Sequence, residues 1–125
     1  MRWLAAVLLA GLIAVPAAQA QAETVSVTVD RFVEFVDADT VEVSLTVTCS
    51  SAGVVLEAFA YVVQRDHNSE FAFFNPTCDG NAHTFIVSVE AGEGERFRRG
   101  RARVSAFVLL ESGATTSPSK KVVIR

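Results

Sequence analysis

Tryptophan, methionine and cysteine are nearly missing from this 125-residue chain, which has one tryptophan (Trp3), one methionine and two cysteines. Proline occurs three times, tyrosine once, and no apolar run reaches the roughly twenty residues that a membrane-spanning helix requires. Each scarcity excludes something. Two cysteines and two histidines (His67, His83) in no recognisable spacing do not compose a zinc site, and no close C-x-x-C pair marks a redox centre. There is no G-x-S-x-G elbow, no H-E-x-x-H and no glycine-rich phosphate loop, so no organised nucleophile, zinc hydrolase or nucleotide site is visible. Carboxylates dispersed by the fold, as in glycosidases, are the one catalytic arrangement that spacing does not test. No cofactor and no resident metal is expected, and the chain is not expected to be an enzyme.

The most apolar segment lies at the start. Arg2, the run Leu4 to Val15, Pro16 and the small-residue site Ala18-Gln19-Ala20 make residues 1–20 read as a cleaved secretory signal. Ala20-Gln21-Ala22 repeats the pattern, so cleavage after Ala22 is also allowed. No cysteine follows the cleavage site for lipid attachment, and no hydrophobic tail closes the sequence. The expectation is one domain, residues 21–125, secreted or periplasmic, with no membrane span once the leader is removed. In an oxidising compartment an even cysteine count argues that Cys49 and Cys78 are paired. Closing that loop stabilises a small domain by roughly 3–4 kcal/mol in the chain-entropy picture.

A period of two runs through most of the remainder. Val25, Val27 and Val29 alternate with Thr24, Ser26 and Thr28; Val41, Val43, Leu45, Val47 and Cys49 alternate with Thr40, Glu42, Ser44, Thr46 and Thr48. The pattern returns at Phe85, Val87 and Val89 and at Val104, Ala106, Val108 and Leu110, with Ile86, Phe107 and Leu109 interrupting the polar side. An apolar stretch Val54–Val63, an aromatic one Phe71–Phe74 and a last strand near Val122–Ile124 complete seven expected strands, separated by turn residues and by no helical period. This predicts an all-β, antiparallel, immunoglobulin-like β-sandwich with one disulfide. The immunoglobulin fold proper fits less well, because its buried tryptophan is missing and Cys78 precedes the fifth strand.

Charge is unevenly distributed. The formal net charge is −3, becoming −4 once Arg2 leaves with the leader. Residues 21–95 carry two basic and thirteen acidic side chains, whereas residues 96–125 carry eight basic and one acidic. The densest feature is Glu95-Arg96-Phe97-Arg98-Arg99-Gly100-Arg101-Ala102-Arg103, in which Arg96, Arg98, Arg99, Arg101 and Arg103 are candidate anion-binding residues. Guanidinium forks suit phosphate, sulfate and carboxylate, so an anionic polymer of the cell envelope is a candidate partner, as is another protein. Nucleic acid ranks lowest, given the negative net charge and a single interleaved aromatic, Phe97. The plainer reading puts Arg101 and Arg103 on the solvent face of a strand, guarding an edge against aggregation and paired with the domain's acids.

Other clusters invite less. Asp30, Glu34, Asp37, Asp39 and Glu42 suggest calcium only through the Asp37-Ala38-Asp39 turn, which lacks the glycine and closing glutamate of an EF-hand loop. The aromatics Phe59, Tyr61, Phe71, Phe73 and Phe74 are expected mostly in the core, with any exposed face a candidate contact patch.

Three local patterns together are similar to a known type: Thr46-Val47-Thr48-Cys49 ending a strand, the turn Cys78-Asp79-Gly80-Asn81-Ala82-His83, and Phe97-x-x-Gly100-x-Ala102-x-Val104-x-Ala106. They resemble small exported bacterial β-sandwich domains of unknown function, over about Thr24 to Leu110. The resemblance implies the fold and the Cys49–Cys78 bridge, with Asp79 and Gly80 as turn-makers and His83 opening the fifth strand. It implies no activity. The arginine load after Phe97 departs from that pattern, where proline or a small polar residue is usual.

Overall fold

The computed structural model describes residues 22–125; the expected leader, residues 1–20, lies outside the described residues. Alternation becomes strand after strand: β1 Val25–Val29, β2 Phe32–Asp37, β3 Thr40–Cys49, β4 Val55–Gln64, β5 His67–Asn68, β6 Ala72–Phe73, β7 Ala82–Glu90, β8 Gly100–Leu110, β9 Thr115–Thr116 and β10 Ser119–Ile124. No helix occurs among the described residues.

The strands hydrogen-bond into two ladders. In the first, β3 is central, with β7 along one side and β1 followed by the second half of β2 along the other. In the second, β8 is central between β4 and β10, the short β9 also pairs with β8, and the short β5 and β6 cover the far side of β4. The β2 strand joins the ladders, because Phe32 and Val33 pair with Val123 and Ile124 before Glu34 and Phe35 pair with Glu42 and Val41.

Residues at alternate positions turn inward from both ladders into one core. Val41, Val43, Leu45, Val87 and Val89 come from the first, and Ala60, Val62, Val104, Ala106, Val122 and Ile124 from the second. Each buried valine, leucine or isoleucine contributes about 1.5–3 kcal/mol by leaving water. A smaller cluster of Cys49, Ala58, Val108 and Leu110 closes one end. There the expected Cys49–Cys78 disulfide is present, tying the last residue of β3 to the loop before β7. That bond is consistent with an oxidising compartment.

Two expectations need correction. The ladders are not wholly antiparallel: β10 runs parallel to β2, since the chain reaches the second ladder's edge from the same end in both passes. The expected set of seven strands omitted β2 and overstated Phe71–Phe74, of which only Ala72 and Phe73 are strand. In β2 the single fully buried residue is Val33, with Phe35 packed partly on the core, while apolar Phe32 and Val36 lie on the other side, so Phe32-Val33-Glu34-Phe35-Val36 shows no sustained alternation of polarity.

Candidate anion-binding site

Segment 92–103 is anchored before its arginines are displayed. Glu95 N–H donates to Gly92 O at 2.8 Å, forming a turn, and Phe97 is driven into the core while its N–H donates to Ala38 O at 2.7 Å. Arg96 and Arg98, on either side of that plug, are therefore turned to solvent. Gly100 opens β8 at φ 130°, a conformation that L side chains rarely adopt. After it, Arg101 and Arg103 fall on the outer face while Val104 and Ala106 fall inside.

The five arginines do not form one cluster. Arg101 and Arg103 line an open groove of about 880 Å³ across the outer face of the second ladder, with Arg31, Phe32, Val63, Arg65, Lys121 and Val123. Cross-strand pairing assembles it: Arg103 stands opposite Val63 on β4 and Lys121 on β10, and Arg101 opposite Val123. From β4 across β8 and β10 to β2 is three strand spacings, about 14 Å. Arg96 and Arg98 border a smaller neighbouring hollow with Gln64, Arg65, His67 and Glu95, so Arg65 belongs to both depressions. Arg99 leaves the group, its guanidinium 4.4 Å from the centre of the Phe35 ring.

Arg31, Arg65 and Lys121 are the members that sequence reasoning missed. They lie at three separate places in the chain and meet only because β4 and β10 flank β8 and β2 lies beyond β10. The groove floor is apolar, and Phe32 carries cations on its ring: Arg125 at 3.8 Å and Arg31 at 4.7 Å from the centroid. Arg103 Nη1 donates to Ser119 Oγ at 3.2 Å, which orients one fork.

No carboxylate lines the groove. Among the described residues the side-chain ion pairs are His67–Glu95 and His83–Asp79, both 2.8 Å, so no arginine or lysine there is paired with an acid. This corrects the expectation that the acidic part of the domain neutralises the arginines. Glu34, Glu42 and Glu90 are on the outer face of the first ladder, across the core, and Glu95, which borders the hollow of Arg96 and Arg98, is bonded to His67 instead. Edge protection fails as an account too, because β8, which carries Arg101 and Arg103, is paired on both sides.

The remaining candidates resolve into structure. Asp37 Oδ1 accepts from Asp39 N–H at 2.8 Å, closing the acidic turn on itself, and no group of three or more metal-ligating side chains occurs among the described residues. Asp79 Oδ1 accepts from Asn81 N–H at 2.9 Å and contacts His83 Nε2 at 2.8 Å, with Gly80 at φ 84°. The Asn81 N–H, and after it His83, hold the Asp79 carboxyl below its ordinary range. The aromatic group does not enter the core as expected. Phe71 stacks on Phe59 at 4.7 Å, Phe107 and Tyr61 adjoin, and Phe71 and Phe73 are 54% and 69% exposed. Phe74 alone turns toward the core, against Phe85.

No protein-family model matches this chain, and no curated protein shows significant similarity to it.

Proposed function

We propose that the chain is an exported, non-catalytic binding domain of the immunoglobulin-like sandwich type, holding an anionic polymer of the cell envelope along the groove of Arg31, Arg65, Arg101, Arg103 and Lys121. One observation carries the reading: five cations surround an open groove that contains no carboxylate, and none of them is ion-paired. Cations gathered at one site repel one another, an arrangement that an incoming polyanion relieves. The apolar floor raises the worth of each charge contact by excluding water beneath the ligand. An open, uncapped groove suits a long polymer better than a small molecule, and a lining without paired carboxylates favours binding over hydrolysis.

The sandwich assignment draws support from two ladders that share one core and from β10 pairing with both β8 and β2. Export draws support from the leader-like residues 1–20 and from the disulfide.

The test is binding to heparin and to long-chain polyphosphate as surrogate polyanions at two salt concentrations. Affinity should fall at least about tenfold between 50 and 200 mM salt, in the manner of counterion release. The triple variant Arg65→Ser, Arg101→Ser, Arg103→Ser should lose most of it. Binding that ignores both salt and the triple variant would reject the groove as the site.

A further inference from the structure

The outer face of the second ladder changes character row by row, in an order set by strand register. Ala58, Ala60 and Val62 of β4 and Val104, Ala106 and Val108 of β8 are buried, so Phe59, Tyr61 and Val63 share the outer face with Arg103, Ser105 and Phe107. Along β8, Arg101 stands opposite Val123, and Arg103 stands between Lys121 and Val63. The next row is Ser119, Ser105 and Tyr61, three hydroxyls side by side. The row after it is Phe107, Phe59 and Phe73, all aromatic. One continuous surface thus passes from cations through hydroxyls to rings. The Arg103 row and the Phe107 row are four residues apart along β8, about 14 Å.

The rings touch as one group. Phe59 is central, with ring centroids 4.7 Å from Phe71, 5.2 Å from Phe107 and 5.9 Å from Phe73, and Tyr61 lies 5.2 Å from Phe71. Phe71 and Phe73 keep 54% and 69% of their surface in water, and contiguous apolar exposure of this kind marks a contact site. The hydroxyl row is tied to the cations, because Arg103 Nη1 and Ser105 Oγ both donate to Ser119 Oγ at 3.2 Å.

Charge limits what can lie over the rings. Glu57 stands one row beyond them, opposite Leu109, and Glu70 precedes Phe71 in the chain; both are exposed. A ligand that follows this face is therefore anionic over the arginines and uncharged over the rings. A single-stranded nucleic acid carries a phosphate for every base and needs cations beside each ring, where this face has acids. An acyl chain laid on an open face would leave one side of itself in water. A neutral sugar meets both conditions. Its C–H face rests on the electronegative face of an aromatic ring, while its hydroxyls stay in water or meet those of Ser105, Ser119 and Tyr61.

We propose that the aromatic and hydroxyl rows are sugar subsites, and that the polymer is an acidic polysaccharide in which neutral sugars are interspersed with charged ones; this rests on the groove being the anion site. The probes are hyaluronan, in which every second sugar is uncharged, and poly-L-glutamate, which carries the same charged group and no sugar. Phe71→Ser with Phe73→Ser should weaken hyaluronan binding at least about tenfold and leave poly-L-glutamate within about twofold. Phe71→Leu with Phe73→Leu keeps apolar bulk without the rings and should lose as much, whereas an acyl ligand would accept leucine. The ring protons of Tyr61, the one tyrosine of the chain, give a readout in the unaltered protein: their NMR signals should move with hyaluronan and not with poly-L-glutamate. Poly-L-glutamate that binds while hyaluronan does not, or phenylalanine variants that retain hyaluronan, would leave the groove standing and overturn the sugar subsites. Failure of both polymers to bind, or indifference of both to Arg65→Ser with Arg101→Ser and Arg103→Ser, would overturn the groove and the subsites together. Tighter binding of oligothymidylate or of phosphatidylglycerol vesicles than of hyaluronan, lost in the serine variant, would give the rings to a nucleic acid or a membrane and overturn the proposal.

Discussion

Gln64 and Arg98 exchange two hydrogen bonds: Arg98 N–H donates to Gln64 Oε1 at 2.9 Å, and Gln64 Nε2 donates back to Arg98 O at 2.8 Å. The same Nε2 also reaches Arg101 O at 3.1 Å, so one amide at the end of β4 clamps the chain on both sides of Gly100. Gln64→Ala should cost about 1–2 kcal/mol, since three backbone contacts are lost at a partly buried site. Urea unfolding measures that loss. Faster hydrogen exchange at the Arg98 amide, with a severalfold weaker polyanion affinity, would show that the clamp also orders the site.

Arg65 occupies the left-handed region, φ 58°, in the tight turn between β4 and β5, where glycine is the residue of least strain. Its guanidinium nonetheless lines the groove. Arg65→Gly should raise stability by about 0.5–1 kcal/mol while lowering polyanion affinity. Urea midpoints and binding titrations on the same preparation check both signs, and a variant that gains stability with unchanged affinity would remove Arg65 from the site.

The disulfide spans 29 positions and packs on Ala58, Val108 and Leu110. Cys49→Ala with Cys78→Ala should cost about 2–5 kcal/mol, read as a lower urea midpoint. Reduction of the native protein should match it in direction.

Asp79 titrates below an unperturbed carboxyl, first because Asn81 N–H bonds its charged form and then because of His83. A folded pKa lower than the unfolded one means that this contribution is present above about pH 4 and is lost as the pH falls through the folded value. Asp79→Asn should flatten that part of the stability profile below pH 4. Urea midpoints measured from pH 2 to 7 in both proteins decide it.

Much of the fold was legible because β3 and β8 each bury one face over ten residues, and alternation is then unmistakable. The β2 strand was not, because apolar Phe32 and Val36 stand on the side opposite the inward Val33 and Phe35, so its residues do not alternate in polarity. Phe71 and Phe73 were misassigned to the core for a related reason: composition marks them as apolar, but only the pairing of Phe73 with Phe59 shows that they stack on the outside. For the groove, Arg101 and Arg103 were visible as alternate residues on one strand. Arg31, Arg65 and Lys121 were not, since strand order brings them there and strand order is not written in local spacing.

The groove gathers Arg31, Arg65, Arg101, Arg103 and Lys121 on one face of a molecule whose net charge is −3. Near a negatively charged surface, a uniformly acidic protein would be repelled. This one carries a local basic patch, so the face of Arg101, Arg103 and Lys121 is drawn inward while Glu34, Glu42 and Glu90 on the first ladder are pushed outward. Its first encounters are thus oriented before any contact forms, over a distance of about 8–10 Å at physiological salt, and a brine that shortens this range would leave it to arrive in any orientation.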